Sequence, residues 1–365
     1  MNFFIMLKNN YYFRNIYSDN NIDVNIHHKS IVFDLKCQNN VMISSWHNGG
    51  YHENMKHILN QTVECEDYKI IDTMDFCDYQ KLVMEDLGLD SSRSAGLITS
   101  ACMDNYAIET VIYRDVKVVA VVTAGADKNG IKAGDSASFY EYDHSYENVG
   151  TINIILFIDA NLEAGTLINA IITATEAKSS TLMDLKLESQ YSENIATGTG
   201  TDGICVISNK SSDNHLENAG KHSKLGEVIA KAVRTATFKA LYLQTAMSPD
   251  YQANVLSRLS RFNVDFDVLY DAYKYDVDIA DYASVLYDFC DDCENIAWVS
   301  MIINLADEVE NGLLSIGDVG GIIKLLTENY MHINNECKIQ QKSDIISYVV
   351  EIINEKLNKI ILSKK

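Results

Sequence analysis

The stretch Thr151-Ile-Asn-Ile-Ile-Leu-Phe-Ile-Asp159 runs within a few residues into Glu163-Ala-Gly-Thr-Leu-Ile-Asn-Ala-Ile-Ile-Thr-Ala-Thr-Glu-Ala-Lys178, and this pair decides the fold class. The first part is apolar at successive positions, so it reads as a strand buried on both faces. The second carries Leu167, Ile171 and Ala174 on one helical face, with Asn169, Thr173 and Glu176 roughly opposite at 100° per residue. A buried strand followed by an amphipathic helix requires layers of sheet and helix.

Working outward, ETVIY and VKVVAVVTAG read as two strands joined at Arg114–Asp115, with GLITSACM as another before them. SIVFDLK and VMISSW, either side of CQNN, predict a hairpin. HNGGYHENMKHILN predicts a glycine pair leading into a helix, and residues 74–88 a helix. On the other side, GICVIS (203–208) reads as a strand. Ser223 is the expected N-cap of a long helix whose Leu225, Ile229, Ala232, Ala236 and Leu243 share a face. The fold class is therefore α+β (mixed α/β), a core with β-hairpins and packed helices.

After Pro249, the chain's single proline, strand signals cease. Residues 250–365 predict four or five helices with breaks at Gly312, Gly317 and Gly320–Gly321, an all-α C-terminal domain. A proline just past a long helix suits a domain boundary. The expected organisation is an irregular Asn/Tyr-rich arm over 1–29, a core domain over 30–247 and an acidic helical domain over 250–365. The length of 365 residues is consistent with two domains.

With 30 Lys+Arg against 51 Asp+Glu the net charge is −21, and residues 246–365 alone carry −10. No cluster of basic residues is present, which argues against nucleic-acid binding. No apolar run is long enough to span a bilayer, and the five-residue apolar stretch near the N-terminus lacks the basic flank of a signal peptide. Eight scattered cysteines fit reduced thiols, so the expected location is cytoplasmic. Eight acidic residues between 271 and 294 suit a solvated face or a docking surface for a protein partner.

The most conspicuous motif is Ala196-Thr-Gly-Thr-Gly-Thr-Asp-Gly203, which contains G-x-G-x-x-G. A dinucleotide site needs a strand before these glycines and a helix after them. Here polar residues precede and a strand follows, so that reading fails. What the turn offers is hydroxyls, a carboxylate and backbone N–H groups that suit an oxyanion or a substrate amide. Gly220-Lys-His-Ser-Lys-Leu-Gly-Glu227 adds a histidine at a helix start, a candidate acid or base. Glu227, Lys231 and Arg234 read as an exposed ion-paired face. The loop Asp127–Asp135 could line a cleft or simply connect elements. Cys290-Asp-Asp-Cys293 lacks a second ligand pair at metal-site spacing, and no metal site is expected.

ISSWHNGGYHENMKHILN (43–60), SAGLITSACM (94–103), VVTAG (121–125), GTINIILFIDANL (150–162), TATEAK (173–178), ATGTGTDGICVIS (196–208) and GKHSKLGEVIAKAV (220–233) together resemble the adenosylcobinamide amidohydrolase family. The resemblance spans about residues 30–245. It implies hydrolysis of the amide joining the corrinoid's propionate arm to aminopropanol, in corrinoid salvage, releasing adenosylcobyric acid and 1-amino-2-propanol. It implies no cofactor, the cobalt being part of the substrate. Asp202, His222, Glu176 and Thr201 become the candidate catalytic residues. Gly49, Gly50, Asn60, Thr123, Thr173, Lys178, Thr197, Gly198, Thr199, Gly200, Ser223 and Lys224 become the candidate substrate-binding residues. A non-catalytic corrinoid-binding protein, with its acidic helices docking a partner, is the alternative.

Overall fold

The structure is a computed structural model that describes residues 13–137, 151–336 and 338–364. The chain forms two compact units. One comprises the described residues up to Leu187 with Ile195–Met247, the other Glu188–Asn194 with the described residues from Ser248 onward.

The first unit opens with β1 (Phe13–Ser18), β2 (Ile22–His27), β3 (Ser30–Leu35), β4 (Asn39–Ile43), β5 (Gly50–Glu53) and β6 (His57–Thr62). Helices α1 (Cys65–Ile71) and α2 (Phe76–Asp86) follow, then β7 (Ser94–Thr99), β8 (Ala107–Tyr113), β9 (Val116–Ala124) and β10 (Gly130–Ile131). The unit closes with β11 (Ile152–Ile158), α3 (Ala164–Asp184), β12 (Gly198–Thr199), β13 (Gly203–Asn209) and α4 (Lys224–Thr245). One sheet runs β1-β2-β3-β6-β7, the other β5-β4-β13-β11-β9-β8.

All seven residues of β11 are buried, as its sequence predicts, and the reason is layering. Ile154, Leu156 and Ile158 point to one side, where they pack with Leu167, Ala174, Ile229 and Ala236 of α3 and α4. Ile155 and Phe157 point to the other, into a core shared with Ile22, Val24, Ile31 and Phe33 of the second sheet. Beyond that sheet, Val32, Leu59, Val63 and Ile98 meet Met84 and Tyr79 of α2. The order of layers is helices, sheet, sheet, helices. Cutting a core residue such as Phe157 to Ala would cost about 3–5 kcal/mol, transfer and cavity terms together.

Four local expectations change. Residues 13–27, read as part of an irregular arm, form β1 and β2, because Ile22, Val24 and Ile26 alternate into the inter-sheet core. The hairpin at CQNN does not form: β3 pairs with β2 and β6, while β4 pairs with β13 and β5 in the other sheet. Asn39 opens β4 by donating its Nδ2 to the carbonyls of Cys37 and Met55, both at 3.0 Å, so it serves a sheet crossing. The stretch expected to be helical after Gly50 is β5 and β6, with Asn54 in the left-handed region (φ 55°) turning the chain between them. Leu243 of α4 is 49% exposed, unlike its expected companions Leu225, Ile229, Ala232 and Ala236.

The second unit is helical among its described residues: α5 (Pro249–Gln252), α6 (Val255–Leu259), α7 (Phe266–Asp271), α8 (Ile279–Cys290), α9 (Cys293–Glu310), α10 (Ile316–Met331) and α11 (Lys342–Lys364). Pro249 takes the first helical position of α5 behind the Ser248 cap, where its missing N–H costs nothing. Trp298, Tyr282, Leu286, Ile302 and Ile352 form the core. Part of the acid density is explained locally. Asp265, Asp278 and Asp292 cap α7, α8 and α9 with side-chain bonds to free N–H groups, where the helix dipole favours a negative charge. Gly312 (φ 70°) breaks the chain as expected, but Gly317, Gly320 and Gly321 lie inside α10. Cys290 is buried in the core, its thiol pushed up to about 12 by desolvation, while Cys293 is exposed. Only Cys290 is part of the packing.

Candidate active site

Strand register assigns the candidate residues to ends of the six-stranded sheet. Ile152 of β11 pairs with Ala124 of β9, and Asn153 with Gly203 of β13. Ile43, at the end of β4, pairs with Cys205. Residues 123–126, 151–153, 199–205 and the loop after Ile43 therefore share one end. At the opposite end Ile158 faces Val118 and Ser208.

At the first end the glycine-threonine turn is built around Asp202. Its Oδ1 accepts from the Thr199 N–H at 3.1 Å, the Thr199 hydroxyl at 2.6 Å and the Ile152 N–H at 3.3 Å. Its Oδ2 receives the ammonium of Lys178, which reaches in from α3 with its side chain only 7% exposed. A side chain on Gly198 would collide with both the carboxylate and the ammonium, so a larger residue there has to displace the ion pair. Thr199 is itself buried. Thr201, an exposed residue, shares a 2.5 Å hydroxyl–hydroxyl bond with Thr151. Thr197 accepts from the Ala133 N–H at 2.9 Å through its hydroxyl and from Ser179 Oγ at 2.6 Å through its carbonyl. The loop of uncertain use after Ala126 thus carries β10, which pairs with β12 and braces the turn.

Behind Gly203 lies a buried polar chain between the sheets. Asn153 Nδ2 donates to Asn60 Oδ1 at 2.8 Å and to the Ile98 carbonyl at 3.0 Å, and Asn60 Nδ2 donates to Thr123 Oγ1 at 2.8 Å. Asn153 Oδ1 is buried without a donor. A buried amide oxygen left unpaired costs about 1–3 kcal/mol, which an incoming N–H or O–H would recover. Asn60 and Thr123 were expected here; Asn153 was not. Its signal is in the sequence, as a lone amide inside an otherwise apolar strand. Gly49 lies in the loop after β4, and Gly50 opens β5 opposite Ile43 at this end. Ser45's carbonyl leaves no room for a side chain on Gly49, and Gly50 has φ 96°.

The structure does not bring the remaining candidates here. Thr173 is buried in α3, its hydroxyl donating to the Ala219 carbonyl at 2.8 Å. Glu176 is exposed and paired with Lys221. Ser223 caps α4, accepting from Gly226 N at 3.0 Å. Lys224 pairs with Glu227 at 2.6 Å and stands 5.1 Å from the Tyr113 ring at the β8–β9 turn, the opposite end of the sheet from Asp202. His222, beside Ser223, is exposed. Glu227 also binds Lys231 as expected, and the two lysines hold its carboxyl down to about 2, but Arg234 turns to Asp184. The separation follows from topology: α4 begins after β13 has crossed the whole sheet.

Among the described residues no three His, Cys, Asp or Glu side chains converge as a metal site would require. No helix among the described residues is long and apolar enough to cross a membrane.

Comparison with known proteins adds what geometry does not. Residues 14–249 match the adenosylcobinamide amidohydrolase (CbiZ) family. An uncharacterized protein of Methanocaldococcus jannaschii is 39% identical over 180 residues, 46% of this chain and 70% of that protein. Solved structures align with less similarity. A protein of Pyrococcus horikoshii OT3 has TM-score 0.31 and 12% identity, covering 62% of this chain and 82% of its own. The L-aminopeptidase D-Ala-esterase/amidase of Ochrobactrum anthropi, described as a variant of the Ntn hydrolase fold, has TM-score 0.31 and 9% identity, covering 64% and 82%. A Burkholderia β-aminopeptidase has TM-score 0.28 and 12% identity, covering 72% and 91%. With 236 consecutive residues matched, including the Gly-Thr turn around Asp202, this chain belongs to the adenosylcobinamide amidohydrolase family, enzymes of corrinoid salvage.

Proposed function

We propose that the aminopropanol amide of adenosylcobinamide is hydrolysed at the Asp202 end of the six-stranded sheet, with Thr199 as nucleophile and Asp202 as its base. The observation that carries this reading is the 2.6 Å bond from the Thr199 hydroxyl to Asp202 Oδ1, a nucleophile within reach of a base. Lys178 holds the other carboxylate oxygen, so the base is oriented from both sides. Asp202 takes the hydroxyl proton as Thr199 Oγ1 attacks the amide carbonyl, and the backbone of the 198–203 turn together with Lys178 stabilises the oxyanion. The C–N bond breaks as the proton passes to the leaving amine, releasing 1-amino-2-propanol. Water, with Asp202 again as base, frees adenosylcobyric acid from the threonine ester.

Gly49, Gly50, Asn60, Thr123, Thr197, Gly198 and Gly200 remain substrate-binding candidates on this end, and Thr201 stands next to the base. Glu176, His222, Ser223 and Lys224 take no part in this reading, because their contacts lie elsewhere. The thiols described are all free, which supports a reducing, cytoplasmic setting. The acidic helices, with their exposed carboxylates, are proposed to serve a protein partner.

The test is to incubate the full chain with adenosylcobinamide and follow both products. Release of 1-amino-2-propanol that stops with Asp202→Asn, and a trapped acyl adduct that maps to Thr199, support the reading. Tight binding without release makes the protein a corrinoid binder. Full turnover by Thr199→Ala removes the threonine as nucleophile.

A further inference from the structure

Trp46 is 59% exposed, an unusual position for an indole, and one of its faces is already used. It stacks on Phe76, the first residue of α2, at 5.4 Å between centroids and 22° between planes. The loop that carries it is fixed on both sides. Ser44 binds Ile204 in both directions, donating its N–H to the carbonyl at 3.0 Å and accepting the Ile204 N–H at its Oγ at 2.9 Å. Ser45 Oγ accepts from Gly96 N at 3.1 Å, and the His47 N–H donates to Gln80 Oε1 at 2.8 Å. Asn48 Nδ2 donates to the carbonyls of Ser91 and Ser94 at 3.0 and 2.8 Å. An exposed indole on a loop tied this firmly is held ready at little entropic cost, since its surroundings are ordered before anything binds.

The loop belongs to the same end of the sheet as Asp202. Ser44 is bonded to Ile204, two residues beyond that carboxylate, and Trp46 leaves the sheet two residues further along. From these positions we infer that the Trp46–Phe76 pair is the platform on which the corrin ring of the substrate lies while its aminopropanol arm reaches toward Asp202. This rests on the amidohydrolase reading above and names the residue that selects its substrate class. The macrocycle is large and cationic overall, and its lower face carries neither the adenosyl group nor a nucleotide base, so an indole can lie against that face. The negative net charge of the chain adds attraction for a cationic ligand. In this reading Trp46 holds and positions the ring and takes no part in the bond cleavage.

The experiment compares the full chain with Trp46→Ala and Trp46→Phe, each checked by circular dichroism and thermal melting. Steady-state kinetics on adenosylcobinamide should show KM raised about tenfold in Trp46→Ala with kcat nearly unchanged, the size of one lost aromatic stacking contact. Trp46→Phe should recover most of the loss. Calorimetric binding of adenosylcobyric acid, which has the ring without the amide, should weaken by the same factor. Unchanged KM and unchanged product binding in Trp46→Ala would overturn the platform while leaving the enzyme intact. An equal fall in kcat with KM unmoved would overturn it too, since that is the signature of a disturbed catalytic turn. Absence of turnover and of binding by the unaltered chain overturns the amidohydrolase reading itself, and the platform with it.

Discussion

Thr199 and Asp202 are joined twice: the backbone N–H and the hydroxyl of Thr199 both donate to the same carboxylate oxygen, at 3.1 and 2.6 Å. Two bonds three residues apart close the turn and leave the hydroxyl's lone pairs facing away from the base. Asp202→Asn and Thr199→Ala are each expected to lower kcat on adenosylcobinamide by roughly 10²–10⁴-fold, the range for a lost base or nucleophile. Thr199→Ser should keep measurable activity. Product release followed by chromatography decides this.

Lys178 is nearly buried against Asp202, so its stabilising and catalytic roles separate by a double-mutant cycle. Lys178→Met leaves a carboxylate without its counter-charge and should cost about 3–5 kcal/mol. Adding Asp202→Asn should recover part of that loss, because the unpaired charge goes with it. Urea unfolding of the four proteins measures the coupling, and additive losses would show that the ion pair is not formed.

His222→Ala should leave turnover and KM near those of the unaltered protein. Its side chain is exposed, and its neighbours Ser223 and Lys224 are engaged at the far end of the sheet. A loss comparable with Asp202→Asn would mean that the end assignment is wrong.

Asp19 supplies a pH test of the first unit. Burial pushes its carboxyl up, but the ion pair with Lys117 and the N–H groups of Ile22 and Asn21 outweigh burial and hold it below its usual value. Stability from a lowered carboxyl is present above the unfolded value, 3.8, and is lost as pH falls through the lower native one. Asp19→Asn should therefore destabilise by about 1–3 kcal/mol at neutral pH. The difference from the unaltered protein should shrink toward zero in strong acid. Thermal melts between neutral and acid pH give the curve, and a constant difference would refute it.

In the second unit Tyr282 donates its hydroxyl to Asn354 Oδ1 at 2.8 Å, and Asn354 Nδ2 donates to the Leu269 carbonyl at 2.9 Å. Tyr282→Phe strands a buried amide oxygen and should cost about 1–3 kcal/mol. The Asn354→Leu variant of the Tyr282→Phe protein should not add the full cost of its own loss. Denaturant midpoints read both.

Much of this protein was legible along the chain. Apolar continuity over residues 152–158 announced a strand buried on both faces, and Ser223 announced the start of α4, because burial and capping are local demands on residue type. The Gly-Thr turn was legible for the same reason, since Gly198 and Asp202 stand close in sequence. Tertiary structure alone decided which strands pair. CQNN looked like a hairpin turn, yet β3 and β4 enter different sheets, because hydrogen-bond partners of a strand are set by distant segments competing for its edges. It also decided which candidates meet. Lys178 travels back from α3 to Asp202 because that helix runs antiparallel to the strand before it, whereas α4 starts at the far end and takes His222 with it. Asn153 shows both halves at once: its polarity is visible in the sequence, but its place between Asn60 and Gly203 exists only when two sheets are stacked.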